Sequence, residues 1–93
     1  MIAVVWVQAG CPTCAEAVSA LRGAKVIVAE QDVSLIEDLS APMSTDLRVA
    51  RKSALTIQGA VPLIEWRGDM EWEFVSLPEA LLRARPKGTV VDG

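Results

Sequence analysis

Ile2-Ala3-Val4-Val5-Trp6-Val7-Gln8-Ala9-Gly10-Cys11-Pro12-Thr13-Cys14 opens the chain and decides how the rest is read. Residues 2–7 are continuously apolar and rich in β-branched side chains, the pattern of a strand covered on both faces. A short loop, Gln8-Ala9-Gly10, separates that run from Cys11. Proline is favoured at the first helical position because its missing N–H would be unpaired there anyway, so Pro12 places Cys11 at or near an N-cap. Ala15, Val18 and Leu21 recur every three residues and give one apolar helix face, with Gly23 as the stop. Lys25-Val26-Ile27-Val28-Ala29 reads as a second buried strand. Strand, crossover helix, strand makes a βαβ unit, whose strands are parallel.

Working outward, residues 31–43 are the least regular stretch. Ile36, Leu39 and Met43 suit a short helical turn, and Pro42 forbids a long helix. Ser44 or Thr45 then caps a helix whose first turn carries Asp46 and whose apolar face is Leu47, Ala50, Ala54 and Leu55. Leu63-Ile64-Glu65-Trp66 is a third strand, Arg67-Gly68-Asp69 a turn, and Met70-Glu71-Trp72-Glu73-Phe74 an alternating, half-exposed fourth strand antiparallel to the third. Ser76 and Glu79 are spaced as a capping box before a last helix with Leu77, Leu81, Leu82 and Ala84 on its apolar face, ended by Pro86. The fold class expected is therefore α/β, β-α-β-α-β-β-α. Its four-stranded mixed sheet has helices on both faces and the first strand central. One domain covers residues 1–85, and residues 86–93 form a flexible tail.

The composition narrows the function. The 93 residues are 52% hydrophobic and 23% charged, with a net charge of −3. That balance does not attract phosphate backbones, so no nucleic-acid partner is expected. Arg48, Arg51, Lys52, Arg83 and Arg85 read as solvated helix faces. No apolar run reaches the ~18–20 residues of a membrane span, and residues 1–7 are too short, with no basic leader, for a signal peptide. The expectation is a monomer in the cytoplasm, where a cysteine pair serves catalysis or metal binding rather than structure.

Cys11-Pro12-Thr13-Cys14 carries the chemistry. A redox pair needs two sulfurs able to close to about 2 Å and reopen without unfolding, and two intervening residues at a helix start permit it. Unpaired N–H groups there favour thiolate at Cys11, the nucleophile; Cys14, one turn on, is the resolving thiol. Structural zinc takes four Cys or His ligands, and this chain has two cysteines and no histidine, so no metal is expected within one chain. Four cysteines shared by a dimer could still hold zinc or an iron–sulfur cluster, and two inert cysteines are a further alternative. Pro62 is the second marker. It is either an ordinary trans proline ending the preceding segment, or a cis proline presenting the backbone of Val61 to an extended substrate beside Cys11. Trp6 reads as core, Trp66 and Trp72 as cross-strand partners flanking the hairpin turn, with Trp72 alternatively a docking aromatic near the thiols. Glu65, Glu71 and Glu73 read as the solvent face of an edge hairpin.

Taken together, the apolar first strand, Cys11-Pro12-Thr13-Cys14, Ile57-Gln58-Gly59-Ala60-Val61-Pro62 and the turn at Gly68 resemble the thioredoxin superfamily, in its glutaredoxin-like branch, over about residues 1–85. The resemblance implies a dithiol–disulfide oxidoreductase with Cys11 as nucleophile, Cys14 as resolver, Pro62 in cis and no resident cofactor. Its substrate would be a disulfide-containing protein, and its electrons would come from glutathione or a flavin-dependent reductase. Phe74-Val75-Ser76-Leu77 stands where glutaredoxins carry the Gly-Gly pair and acidic residue that hold glutathione. Gly10 and Val5 stand where thioredoxins carry a tryptophan and a buried aspartate. Both donors therefore stay open, as does a non-catalytic or cluster-binding module.

Overall fold

The computed structural model describes residues 2–69 and 72–84. The elements run β1 (Ile2–Val7), α1 (Pro12–Gly23), β2 (Ile27–Asp32), α2 (Ser34–Glu37), α3 (Thr45–Gln58), β3 (Leu63–Arg67), β4 (Trp72–Val75) and α4 (Leu77–Arg83). The four strands form one open, mixed sheet in the order β2-β1-β3-β4. β1 lies parallel to β2, with Ile2 opposite Ile27, and antiparallel to β3, with Trp6 opposite Leu63. The expected α/β architecture and central first strand are thus present, with the turn around Ile36 forming a helix of its own. The expected tail, residues 86–93, lies outside the described residues.

Strand alternation splits the core in two. Ala3, Val5, Ile64, Trp66 and Val75 point to one face and pack with Val18 and Leu21 of α1 and Ala80 of α4. Val4, Trp6 and Leu63 point to the other, against Ile36 of α2 and Ala54 and Leu55 of α3. β1 has a neighbour on each side and helices above and below, which is why an uninterrupted apolar run was needed there.

Several sequence expectations shift. The buried face of α1 is Cys14, Ala17, Val18 and Leu21; Ala15 faces solvent, one position out of phase. Gly23 is the last residue of α1, as expected, and the left-handed residue that closes its end is Lys25. Lys25 adopts φ 67°, and the amides of Lys25 and Val26 donate to Arg22 and Leu21 carbonyls, a Schellman closure. The second strand consequently begins two residues later, at Ile27. As an edge strand it is largely exposed, not buried; Ile27 itself is 65% exposed. α3 runs past Leu55 to Gln58 and ends at Gly59, whose φ of 80° suits a residue without a side chain. Ser44 is its N-cap, accepting the Leu47 amide at 3.2 Å. Ser44→Ala is expected to lower stability by about 1 kcal/mol, read from chemical denaturation. Ser76 caps α4 in the same way, accepting the Glu79 amide. Glu79 turns to Arg83 at 2.8 Å, the partner its side chain bonds in place of the reciprocal half of a capping box.

The largest correction concerns charge. Glu65 and Arg51, both expected on solvated faces, are buried, at 0% and 6% exposure. Alternation along β3 puts Glu65 on the same face as Leu63, between Val4 and Phe74 on the flanking strands. There its carboxylate receives both Arg51 nitrogens facing it, the Trp6 indole N–H at 2.7 Å and the Trp72 indole N–H at 3.2 Å. Arg48 also turns inward, donating to the carbonyls of Leu35 and Ile36, and so satisfies the end of α2. Trp66 and Trp72 are not partners: Trp66 faces Glu73 in the ladder and Trp72 faces Arg67, so the two rings lie on opposite sheet faces. Trp72 stacks obliquely on Phe74, with ring centroids 6.0 Å apart.

Candidate functional site

The loop after β1 delivers Cys11 to the end of the sheet. Gly10 takes φ 75°, a left-handed turn conformation that glycine adopts without penalty, and the Cys11 amide closes the turn onto the Gln8 carbonyl at 3.2 Å. Cys11 is then the N-cap of α1 with extended backbone, and Pro12 is the first helical residue. In this position the cysteine sulfur does what a serine or aspartate oxygen does at other N-caps. It accepts the Cys14 amide, at 3.3 Å. The Thr13 hydroxyl lies 3.1 Å from the same sulfur. Both cysteines are free thiols, Cys11 half-exposed and Cys14 buried at 3% exposure.

This geometry divides the two thiols. The Cys11 thiol is held below the ordinary cysteine range, first by its hydrogen bond with the Cys14 side chain. The Thr13 hydroxyl comes next, and the amides of Cys14 and Thr13 add to it. Burial pushes the Cys14 thiol up, reinforced by the bond to Cys11 and the charge that gathers there. One sulfur is thus disposed to be an accessible thiolate and the other a shielded thiol. Thr13→Val removes a donor that stabilises the anion. It is expected to move the midpoint of the pH profile for Cys11 alkylation upward, while the alkylation rate at high pH stays unchanged.

A groove of about 460 Å³ opens beside the pair, lined by residues 8–12, Cys14 and Glu30. It gives an incoming group a route to the sulfurs. Neither Val61 nor Pro62 lines it. The Val61–Pro62 peptide bond is cis. Pro62 directly precedes Leu63, which opposes Trp6, so the loop carrying Val61 and the loop carrying Cys11 leave adjacent strands at the same end of the sheet. Both residues are half-buried.

Gln58 was not singled out from the sequence. Its side-chain amide donates to the Ala60 carbonyl at 2.5 Å and the Pro62 carbonyl at 2.6 Å, bracing the loop from the end of α3. The available signal was a long amide side chain just before a helix-ending glycine and four residues ahead of a proline. Trp72 lies at the far end of the sheet from the thiols. It pairs with Arg67, which pairs with Ile2, while Cys11 follows the other end of β1. The separation along β1 alone is ~16 Å, so Trp72 does not flank the cysteine pair.

Among the described residues no cluster of three or more His, Cys, Asp or Glu side chains could hold a metal ion. No described helix is long and apolar enough to cross a membrane. No family model, curated protein or solved structure matches the chain.

Proposed function

We propose that the chain is a dithiol–disulfide oxidoreductase on a thioredoxin-like fold, reducing protein disulfides through Cys11 and Cys14. The observation that carries this reading is the Cys11 sulfur at the start of α1, accepting the Cys14 amide with the Thr13 hydroxyl alongside. A thiolate so placed is the attacking form in thiol–disulfide exchange.

In the first step the Cys11 thiolate attacks one sulfur of a substrate disulfide. The Cys11–substrate S–S bond forms, the substrate S–S bond breaks, and the departing sulfur leaves as a thiolate that takes up a proton. In the second step Cys14 loses its proton and attacks the Cys11 sulfur, closing the Cys11–Cys14 disulfide and releasing the second substrate thiol. Two electrons have then passed from the protein to the substrate, and an external reductant returns them. Cys14 keeps its proton until Cys11 is engaged, because burial disfavours its charge and the neighbouring thiolate repels it. The backbone of Val61, half-buried in the bend before Pro62, is proposed to align an extended substrate segment, as edge pairing does in other peptide complexes.

A flavin-dependent reductase is the favoured electron source over glutathione. The residues ahead of α4 are Phe74, Val75 and Ser76, with Ser76 occupied as the helix cap, and no glycine pair opens that turn to a tripeptide carboxylate. The test is insulin reduction driven either by NADPH with a flavin-dependent dithiol reductase or by glutathione with its own reductase. Turnover with the first supports the reading. Turnover with glutathione alone reassigns the donor, and turnover with neither removes the oxidoreductase proposal. A reducing compartment such as the cytoplasm is the setting in which this direction of transfer is useful.

A further inference from the structure

We propose that the cavity between the sheet and the α2–α3 pair binds a small monocarboxylate with an apolar body. The cavity measures about 280 Å³; Val4, Ala29, Leu35 and Met43 give it an apolar side, and Gln31 and two arginines give it a polar one. That volume is near the lower end of the range of small-ligand pockets, which begins at about 300 Å³. The cations on its lining are Arg51 and Arg67.

Arg51 is fixed before any ligand arrives. It is 6% exposed, its Nε and Nη2 donate to Glu65, and its guanidinium carbon lies 4.7 Å from the centre of the Trp6 ring. Its Nη1 has no partner among the described residues, although the side chain lines the cavity. Arg67 reaches Glu65 only at 3.4 Å and is 45% exposed, so its remaining N–H groups can turn to a second acceptor. Two guanidiniums against the single Glu65 carboxylate leave one positive charge at the cavity. A carboxylate matches both that charge and the planar donor geometry of arginine. The apolar side suits a hydrocarbon or aromatic body behind it. A buried ion pair gives no more stability than well-packed apolar residues of the same size. Holding a guanidinium ready for an anion is a use that apolar residues cannot supply.

The site is separate from the thiols. It lies on the sheet face covered by α2 and α3, whereas α1, which carries Cys14, packs on the other. The oxidoreductase reading and this one can therefore fail independently.

The test is a ¹H–¹⁵N NMR titration of the full chain with butyrate and with benzoate at fixed ionic strength, using benzamide as the uncharged match. The reporter is the Trp6 indole N–H, which bonds Glu65 at the cavity wall. At least one carboxylate is expected to move that resonance saturably, with no such response to benzamide. Arg67→Gln is expected to weaken the binding about tenfold and to leave insulin reduction unchanged. Should Arg67→Gln lose the folded spectrum, Ala29→Leu takes its place, filling the cavity from β2 and abolishing the response. Three results would each overturn the proposal: no saturable shift with either carboxylate, an equal shift with benzamide, or undiminished binding by the folded variant.

Discussion

Cys11→Ser is expected to abolish disulfide reduction outright, leaving turnover at the background of the external reductant, while the fold persists. Serine is itself a good N-cap, so the hydrogen bond from the Cys14 amide is kept and α1 still starts where it does. What disappears is the polarizable anion that attacks sulfur, and a hydroxyl is not ionised at neutral pH. The partner experiment separates the roles. Cys14→Ser retains the Cys11 thiolate but removes the sulfur that resolves the intermediate, so the mixed disulfide with substrate accumulates and can be isolated under non-reducing conditions. Failure to trap any adduct with Cys14→Ser, together with residual turnover in Cys11→Ser, would reverse the assignment. The structural basis for the order is that Cys14 is buried at 3% exposure whereas Cys11 is half-exposed.

Glu65→Ala is the substitution with the largest expected effect on stability, about 3–5 kcal/mol, because it strands the buried Arg51 cation without its counter-charge. For a domain of this size each kcal/mol moves the midpoint of thermal unfolding by roughly 4–8 °C. Total stability for such domains is about 5–15 kcal/mol, so the variant stands at the margin of folding. The double variant Glu65→Leu/Arg51→Met removes both charges and is expected to recover most of the loss. If it were no more stable than Glu65→Ala, the damage would come from packing rather than from the unpaired charge.

Acid should reproduce part of this effect. Burial pushes the Glu65 carboxyl up, but the Arg51, Trp6 and Trp72 donors and the Arg51 charge outweigh it, and the net position is below the ordinary carboxylate range. A folded-state value below the unfolded value of about 4.3 means that the contribution is complete above that pH and is lost as pH falls through the folded value. Denaturation midpoints should therefore drop below about pH 4 in the parent, and the part due to Glu65 should be absent from the double variant.

Much of the fold was legible because local chemistry and tertiary need coincide in the first half of the chain. The apolar run at 2–7 had no polar position to offer solvent, so it had to be central. Pro12 could only begin a helix, and the cysteine before it could only cap it. Ser44 and Ser76 announced two more helix starts by the same logic. The cis bond before Pro62 is the one expected from the family resemblance; nothing in residues 57–62 taken alone required it.

The places where expectation and structure part share a cause. Exposure of Glu65 and Arg51 was inferred from charge, and charge predicts exposure only for a side chain that has to find its partner in water. Glu65 and Arg51 are 14 positions apart and Trp6 is 59 from Glu65, separations across which no local pattern speaks. The same holds for β2, apolar enough to read as buried but assigned by the sheet order to an edge with one neighbour. The amino-acid order by itself determined the elements, their caps and the pairing of two sulfurs within one helical turn, since each depends on residues within about four positions of one another. The tertiary structure alone decided which face each strand presents to which helix. It thereby decided that a carboxylate and a guanidinium meet inside the protein, because burial of charge depends on partners that only the assembled sheet and its packed helices bring into contact.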